Sequence, residues 1–393
     1  MGVACSACGG PNVDDWDSRM EMRNDAKVTR RLDLMNREAK ETIRILLLGT
    51  GDCGKSTLVK QLKLVYKGGF SKSERMDSRE TIRMNTIDSI KQLITGCREL
   101  YDLEQKYEAL ADRVMELPAK NEEGGGVTVS TEDIDAIENL YKNSEMIKRA
   151  VEHKSLFYLL DSYEYFLTRV REIFKQDYMP SSLDILRART KTRGIEETKF
   201  TMNDQPCVIY DVGGQRGERK KWIHIFDGVS IIGYVASLSE YDQVLEEDRN
   251  KNRMQESSTS AHNILTNGLQ YRSTLVSCSI LLAVSLFEGI LSLIWFKETP
   301  VILFLNKNDI FQEKIKTEEL GRIFPEYYGG FDAKEALEFI AAKYRQCNAY
   351  KDRTLMIHVT TAIETECISP MFERSVAALV VSRGIQSCRS DFL

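Results

Sequence analysis

The sequence lacks an excess of positive charge, a paired cysteine spacing and a clear membrane-spanning run. Lys and Arg together number 54 against 59 Asp and Glu, so the charge balance does not suggest a nucleic-acid binder, which normally shows a strongly basic face. The nine cysteines are an odd, scattered set, and with no signal peptide at the start they indicate an intracellular chain without a disulfide framework. Cys5 and Cys8 lie close together, but no second Cys or His pair completes a zinc site.

A glycine-rich stretch, LLLGTGDCGKST, lies between a strand pattern at 42–49 and a helix pattern at 55–66. The motif G-x-x-x-x-G-K-[ST] is matched by Gly49, Gly54, Lys55 and Ser56. In this motif the glycines let backbone N–H groups at a helix N-terminus point at phosphate oxygens. Lys55 would reach the outer phosphates, and the Ser56 hydroxyl would bind Mg²⁺. The alternative is a plain connection with one surface lysine, which the flanking strand and helix disfavour.

The rest of the chain predicts an α/β domain interrupted by a helical one. Its 393 residues exceed the usual size of a single domain. Five further strand patterns lie at 197–204, 207–212, 230–237, 301–307 and 355–362. Helical patterns alternate with most of them, which predicts a mostly parallel, six-stranded sheet with ligands at the carboxyl ends of its strands. Between 68 and 182 we find long helical patterns and no convincing strand, which predicts an all-helical insertion.

Three further motifs follow in the order that a nucleoside triphosphatase needs. In DVGGQR, residues 211–216, the Asp can hold a metal through water and Gln215 can orient an attacking water. In FLNKND, Asp309 can accept two hydrogen bonds that guanine offers and adenine does not. RARTKTRG, residues 187–194, can place a guanidinium and a hydroxyl over the phosphates. Taken alone, the first motif can be a strand-ending turn and the last a solvent-facing charged run.

The start of the chain predicts a lipid anchor. MGVACSAC matches the pattern M-G-x-x-x-[ST], with Gly2 as the myristoylation site and the Cys5 thiol close enough for palmitoylation. Two acyl chains make an attachment stable where one does not. Residues 14–44 form a highly charged run without Gly or Pro, which predicts an exposed helix. That helix either faces an anionic membrane surface or is simply solvated.

The sequence resembles the α subunits of heterotrimeric G proteins over nearly its whole length, on GTGDCGKST, RARTKTRG, DVGGQRGERKKWIHIFDGV, FLNKND and VTTAIET. The resemblance implies an acylated helix at 1–41, a P-loop NTPase (Ras-like) domain at 42–67 and 183–393, and an inserted all-α domain at 68–182. It implies a GTPase switch that binds GTP or GDP with Mg²⁺. The implied partners are a βγ dimer, a seven-helix receptor, an effector enzyme or channel, a GTPase-activating regulator and the cytoplasmic face of the plasma membrane, with no nucleic acid.

The resemblance also assigns roles to individual residues. Arg189 would be the arginine that the family supplies in cis to the transferring phosphoryl group, and Gln215 would position the water. Ser56 and Thr192 would be the protein ligands of Mg²⁺, with Asp211 supporting it through water. The Gly214 N–H would contact the γ-phosphate, and the Ala362 N–H the guanine oxygen. Further expected nucleotide contacts are Gly51, Asp52, Cys53, Gly54, Lys55, Thr57, Asp161, Ser162, Leu186, Arg187, Asn306, Lys307 and Asp309.

Several positions depart from the family pattern. Asp52 and Cys53 stand where Glu and Ser are usual, so the carboxylate expected to pair with Arg189 is one methylene shorter. VTTAIET lacks a hydroxyl at Ile363 that the family pattern has. The ending IQSCRSDFL does not match closely, so the resemblance assigns no receptor class.

The largest departure is at 258–283, which looks inserted after MQES and before VSLFEGILSLIWF. It is a surface loop, a translated intervening sequence, or part of a membrane span. The span is disfavoured because Glu288 and Gly289 leave an apolar run of about 13 residues, below the ~20 that a bilayer needs. We expect this insertion to impair the switch, since it starts just after Glu256, the expected partner of Arg219. The alternative function is therefore a nucleotide-binding module that does not cycle.

Overall fold

The computed structural model describes residues 42–118, 127, 129–215, 217–242 and 279–382. The expected N-terminal helix at 1–41, with Gly2 and Cys5, lies outside these residues. So do Glu256, most of the 258–283 segment and the C-terminal residues after 382. Within the described ranges the chain forms a sheet with helices on both faces and a separate group of helices between its first two strands.

The sheet confirms the predicted fold class. Its strands are β1 (Ile43–Leu48), β2 (Ile195–Met202), β3 (Gln205–Val212), β4 (Ile231–Ser237), β5 (Val301–Asn306) and β6 (Leu355–Val359). They lie in the order β2-β3-β1-β4-β5-β6. Only the β2–β3 pair of this sheet is antiparallel. β2 ends before the predicted 204 because Asn203 and Asp204 adopt the left-handed conformation, with φ of 49° and 61°, in the tight turn to β3.

Both faces of the sheet are buried, which explains why its central strands are continuous apolar runs. In β1, Ile45 and Leu47 face one core and Leu46 and Leu48 the other. The first core is completed by α1 (Lys55–Tyr66) and the C-terminal helix α12 (Thr365–Ser382). The second is completed by α9 (Ser279–Leu291) and α11 (Ala333–Gln346), while the short α10 (Asn308–Lys314) follows β5.

The helical unit contains no strand among its described residues. Its helices are α2 (Lys72–Leu100), α3 (Gln105–Glu116), α4 (Thr131–Asn143), α5 (Glu145–Glu152), α6 (Tyr163–Leu167), α7 (Val170–Ile173) and α8 (Ser182–Arg187). The Ser71 hydroxyl and the Glu74 carboxylate cap the start of α2 reciprocally. Two of the predicted helical patterns are interrupted, since the chain turns at 101–104 and again after His153, where the helix gives way to a single 3₁₀ turn.

The end of the 258–283 segment does not coincide with a break in structure. The described part of helix α9 starts at Ser279, so the last five residues of the segment are helical. Ala283 is buried, and its carbonyl oxygen accepts a 3.1 Å hydrogen bond from the Tyr234 hydroxyl. The helix then ends at Leu291, within the stretch VSLFEGILSLIWF. Among the described helices, none is both long and apolar enough to cross a membrane.

Candidate functional site

A cleft lies between the helical unit and the carboxyl ends of the parallel strands, where ligands of such sheets bind. Most predicted site residues line it: Gly51, Asp52, Gly54, Lys55, Ser56, Thr57, Asp161, Ser162, Leu186, Arg187, Arg189, Thr192, Gly214, Gln215, Asn306, Lys307, Asp309 and Ala362. Two predicted residues are not on its wall. Cys53 is fully buried beneath the loop, where its thiol donates to the Thr50 carbonyl oxygen, and Asp211 is buried behind Ser56.

The phosphate loop has the backbone that its glycines predict. Gly54 precedes α1 with φ of 104°, and a Cβ there would lie 2.1 Å from the Asn306 side-chain nitrogen. Only glycine fits such a position. No side chain of the described residues caps the first turn of α1, so its N–H groups are available to an anion in the cleft. Lys55 Nζ donates to the carbonyl oxygens of Thr50 at 2.6 Å and Gly49 at 3.2 Å, which holds the ammonium at the floor of the loop.

Three oxygen-bearing side chains meet beside the phosphate loop. The hydroxyl oxygens of Ser56 and Thr192 are 2.7 Å apart, and Ser56 donates to Asp211 Oδ2 at 2.6 Å. Burial raises the pKa of the Asp211 carboxyl above its usual range. Among the described residues, Asp211 Oδ1 has no hydrogen-bond partner. A buried carboxylate with a spare oxygen next to two hydroxyls suits a hard cation such as Mg²⁺, which shares its shell with phosphate and water.

The arginine predicted to act on the phosphates is paired across the cleft with the phosphate loop. Arg189 Nε and one terminal nitrogen donate to the two carboxylate oxygens of Asp52 at 2.7 and 2.8 Å. The shorter side chain of Asp52 therefore still reaches Arg189 in the two-bond geometry that arginine favours. The guanidinium carbon also lies 5.4 Å from the centre of the Tyr158 ring, which the helical unit supplies.

Sequence reasoning missed the contacts that hold this arginine's segment. Lys60, on α1, donates to the carbonyl oxygens of Ile185 and Ala188 at 3.0 and 2.8 Å, and burial lowers the pKa of its ammonium to about 8. Asn85, on α2, bonds the main chain of Arg189. A lysine or asparagine within a helix gives no local signal of such a partner, because the contacts join residues more than 100 positions apart.

The FLNKND motif connects the base end of the cleft to three other segments. Asn306 donates to the Cys53 carbonyl oxygen at 2.9 Å, and its side-chain oxygen accepts the Ala362 N–H at 2.9 Å. Lys307 Nζ lies 2.7 Å from Asp161 of the helical unit. Asp309 is half-buried in the first turn of α10 and faces the cleft. In this geometry the Ala362 N–H is already used, so a guanine oxygen would share it with Asn306.

In the segment after β3, side chains donate hydrogen bonds to backbone carbonyl oxygens of the same segment. Arg219 donates to the Gly214 carbonyl oxygen at 2.9 Å, and the buried Trp222 indole donates to that of Gly213 at 2.9 Å. The Glu218 carboxylate accepts the Gly194 N–H at 2.6 Å, which joins this segment to the one that carries Thr192. The expected pair between Arg219 and Glu256 remains a prediction, since Glu256 lies outside the described residues.

Comparison with known proteins matches this chain to one family. The family model described as "G-protein alpha subunit" matches residues 22–379. A guanine nucleotide-binding protein subunit alpha from Cryptococcus neoformans is 37% identical over 374 residues, 95% of this chain and 79% of the relative. An alpha-3 subunit from Neurospora crassa is 36% identical, covering 93% and 94%. A G(o) subunit alpha from Lymnaea stagnalis is 35% identical, covering 95% and 97%.

Proposed function

Because this chain belongs to the G-protein alpha subunit family, we propose that it is a switch that carries signals from activated seven-helix receptors to effector proteins. Its fold is a Ras-like GTPase domain with a helical domain, and it is a guanine nucleotide-binding GTPase. In the proposed cycle the GDP form pairs with a βγ dimer and the receptor promotes exchange of GDP for GTP. Hydrolysis, assisted by a GTPase-activating regulator, then ends the signal.

The observation that carries this proposal is the meeting of two loop segments at the phosphate end of the cleft. Thr192, before β2, contacts Ser56 of the phosphate loop, and Gly214, after β3, lines the same cleft. A Cβ on Gly214 would lie 2.4 Å from the Thr50 carbonyl oxygen, so the backbones of this segment and of the phosphate loop approach closely. A γ-phosphate would therefore contact both segments at once, and its loss would release both.

We further propose that Mg²⁺ binds at the Ser56 and Thr192 hydroxyls, with Asp211 holding it through water. When bound, the ion neutralises phosphate charge and orients the phosphates. Lys55 adds a positive charge from the floor of the loop. For hydrolysis, the Arg189 guanidinium would leave Asp52 and move onto the oxygen where negative charge develops, while the Gln215 amide orients the attacking water.

The alternative function, a nucleotide-binding module with an impaired switch, rests on residues 258–283. The comparisons do not favour it. The relatives are named as guanine nucleotide-binding alpha subunits, and this chain matches most of the length of each. It remains worth testing because α9, into which the segment runs, packs its residues Leu286 and Phe287 into the same core as Trp222. An insertion that displaces α9 would loosen the packing of that tryptophan.

We expect that deleting residues 258–278 will increase the rise in Trp222 fluorescence when a non-hydrolysable GTP analogue replaces GDP. The deletion spares residues 279–283, which belong to α9. In the shortened protein only Ser257 separates Glu256 from the residues of α9. We expect this short connection to let the γ-phosphate order the segment around Trp222. The measurement is the tryptophan emission of both forms at saturating nucleotide. Trp222→Phe in each form identifies the share of the signal that comes from this residue.

Equal responses from the intact and shortened proteins would show that the segment is harmless to the switch. If neither form responds to the GTP analogue but both bind it, the proposed switching function itself fails. A βγ dimer that binds the GDP form and dissociates on addition of the analogue would support the proposed cycle independently.

Membrane attachment is proposed through acylation of Gly2 and Cys5 on the cytoplasmic face of the plasma membrane. Gly2→Ala removes the myristoylation site, and a single remaining signal holds a protein only weakly. We therefore expect this variant to move largely from the membrane to the cytosolic fraction. The measurement is fractionation of cells that express either form, with Gly9→Ala as a control outside the acylation pattern. Unchanged membrane attachment of Gly2→Ala would contradict the anchor.

A further inference from the structure

We propose that Asn85 is a positioning residue that holds the main chain of Arg189 in place for GTP hydrolysis. This inference rests on the proposed role of Arg189 in stabilising charge on the transferring phosphoryl group. Asn85 belongs to the long helix α2, whereas Arg189 follows α8, 104 positions later. The helical unit would thereby set the position of a residue that acts on the nucleotide.

The Asn85 side chain binds both polar main-chain groups of Arg189. Its oxygen accepts the Arg189 N–H at 2.6 Å, and its nitrogen donates to the Arg189 carbonyl oxygen at 3.2 Å. An asparagine amide carries one acceptor and one donor group side by side. A flipped amide would set nitrogen against N–H and oxygen against carbonyl, so the two bonds together require this orientation. Asn85 is 7% exposed, so water competes little for either bond.

Arg189 lies in a segment without regular secondary structure, so its backbone is not held by the hydrogen bonds of a helix or a sheet. Helix α8 ends at Arg187 and β2 begins at Ile195, and residues 188–193 belong to neither a helix nor a strand. Main-chain groups in such a segment need partners from side chains. Asn85 supplies them at the residue whose side chain must reach the phosphates. A shift of about 1 Å in a catalytic group can cost on the order of 10²-fold in rate.

The segment retains a second attachment when Asn85 is changed. Lys60 bonds the carbonyl oxygen of Ala188, the residue just before Arg189, at 2.8 Å. Loss of Asn85 should therefore loosen the arginine without detaching its segment from α1. Asn85→Asp separates the two bonds, because it keeps an oxygen that accepts the Arg189 N–H and replaces the donor to the Arg189 carbonyl oxygen with a second oxygen.

The test is a double-mutant cycle between Asn85 and Arg189, read as single-turnover hydrolysis of GTP preloaded on the full chain. We expect Asn85→Ala to slow hydrolysis roughly 10- to 100-fold, and Asn85→Asp to slow it less. Affinity for a GTP analogue should stay within a few-fold. In an Arg189→Cys background the same Asn85 changes should alter the rate less than threefold, because the group that they position is gone.

A matched control uses Arg83, two residues earlier on α2. Its guanidinium also binds main-chain oxygens, those of Ile173 and Lys175, but within the helical unit. Arg83→Met should lower the melting temperature of the GDP form without slowing hydrolysis. A merely structural role for Asn85 would make its variants behave in the same way.

The outcomes separate this inference from the proposed function. If Arg189→Cys hydrolyses GTP at the parental rate, the proposed role of Arg189 fails. If Arg189→Cys is slow but Asn85→Ala is not, or slows both backgrounds equally, the positioning role is overturned and the role of Arg189 stands. Melting of the GDP-bound proteins identifies variants that do not fold; Asn85→Asp then takes the place of Asn85→Ala in the cycle.

Discussion

Arg189→Cys is expected to slow GTP hydrolysis by about 10²- to 10³-fold, the range typical of removing one preorganised donor to a developing charge. The guanidinium already lies at the cleft, 2.7 Å from the Asp52 carboxylate. Moving it onto the transferring phosphoryl group requires a change in the side chain but not in the fold. Binding of GTP should be nearly unchanged, so the variant would accumulate in the GTP form.

The measurement is phosphate release in a single turnover, together with the affinity for a GTP analogue. Arg193→Lys serves as a control, since it keeps a positive charge in the same RARTKTRG motif at a residue to which no contact with the nucleotide is assigned. Gln215→Leu should slow hydrolysis comparably, because it removes the amide that orients water while keeping a similar side-chain volume. A parental rate in Arg189→Cys or in Gln215→Leu would remove the role given to that residue.

Asp309→Asn is expected to reverse the base preference of this protein from guanine toward xanthine. In the proposed site the carboxylate of Asp309 would accept from N1–H and the exocyclic amine of guanine, whereas an amide can donate to the oxygen that xanthine has in place of that amine. Sites that read a base or side chain by hydrogen bonds discriminate by up to ~10⁴-fold. We therefore expect the ratio of GDP to XDP affinity to fall by on the order of 10²-fold or more.

Competition between labelled GDP and unlabelled XDP gives this ratio directly. Gln312→Ala is a suitable control, since Gln312 lies one turn further along α10 and bonds Asn308. An unchanged ratio in Asp309→Asn would remove Asp309 from the base site. Loss of all nucleotide binding together with a lower melting temperature would instead indicate damage to α10, and Asp309→Ala would then show whether the carboxylate or the helix was responsible.

Helices and strands whose formation has a local physical cause were predicted well from the sequence. The helix at 55–66 was predicted to the residue, since its start follows from Gly54 and its length from apolar spacing. The six strands were also found. The four central ones are largely buried runs with a clear composition, whereas the edge strands β2 and β6 are largely exposed or half-buried. Cys53 was predicted as a nucleotide contact and Asp211 as a support for Mg²⁺ through water, and neither lies on the wall of the cleft. A motif match does not distinguish a lining residue from one that supports it.

Contacts between distant segments could not be predicted in this way. The pairing of Asn85 with Arg189, and of Lys307 with Asp161, depends on how the helical unit sits against the sheet. No periodicity or spacing in α2 distinguishes Asn85 from another polar residue of a helix. Likewise, no local pattern predicts that α9 is continuous through residue 283, where the Ala283 carbonyl oxygen accepts a hydrogen bond from the Tyr234 hydroxyl.

Two ion pairs close the cleft at its opposite ends. Arg189 with Asp52 spans the phosphate end, and Lys307 with Asp161 spans the base end. Each pair joins the helical unit or its connection to the sheet, so a nucleotide bound in the cleft would lie behind both. A ligand enclosed in this way would leave only as fast as its walls part. Its residence time would then be set by contacts that the protein makes with itself, and it could change many-fold while the fit between nucleotide and pocket stays the same.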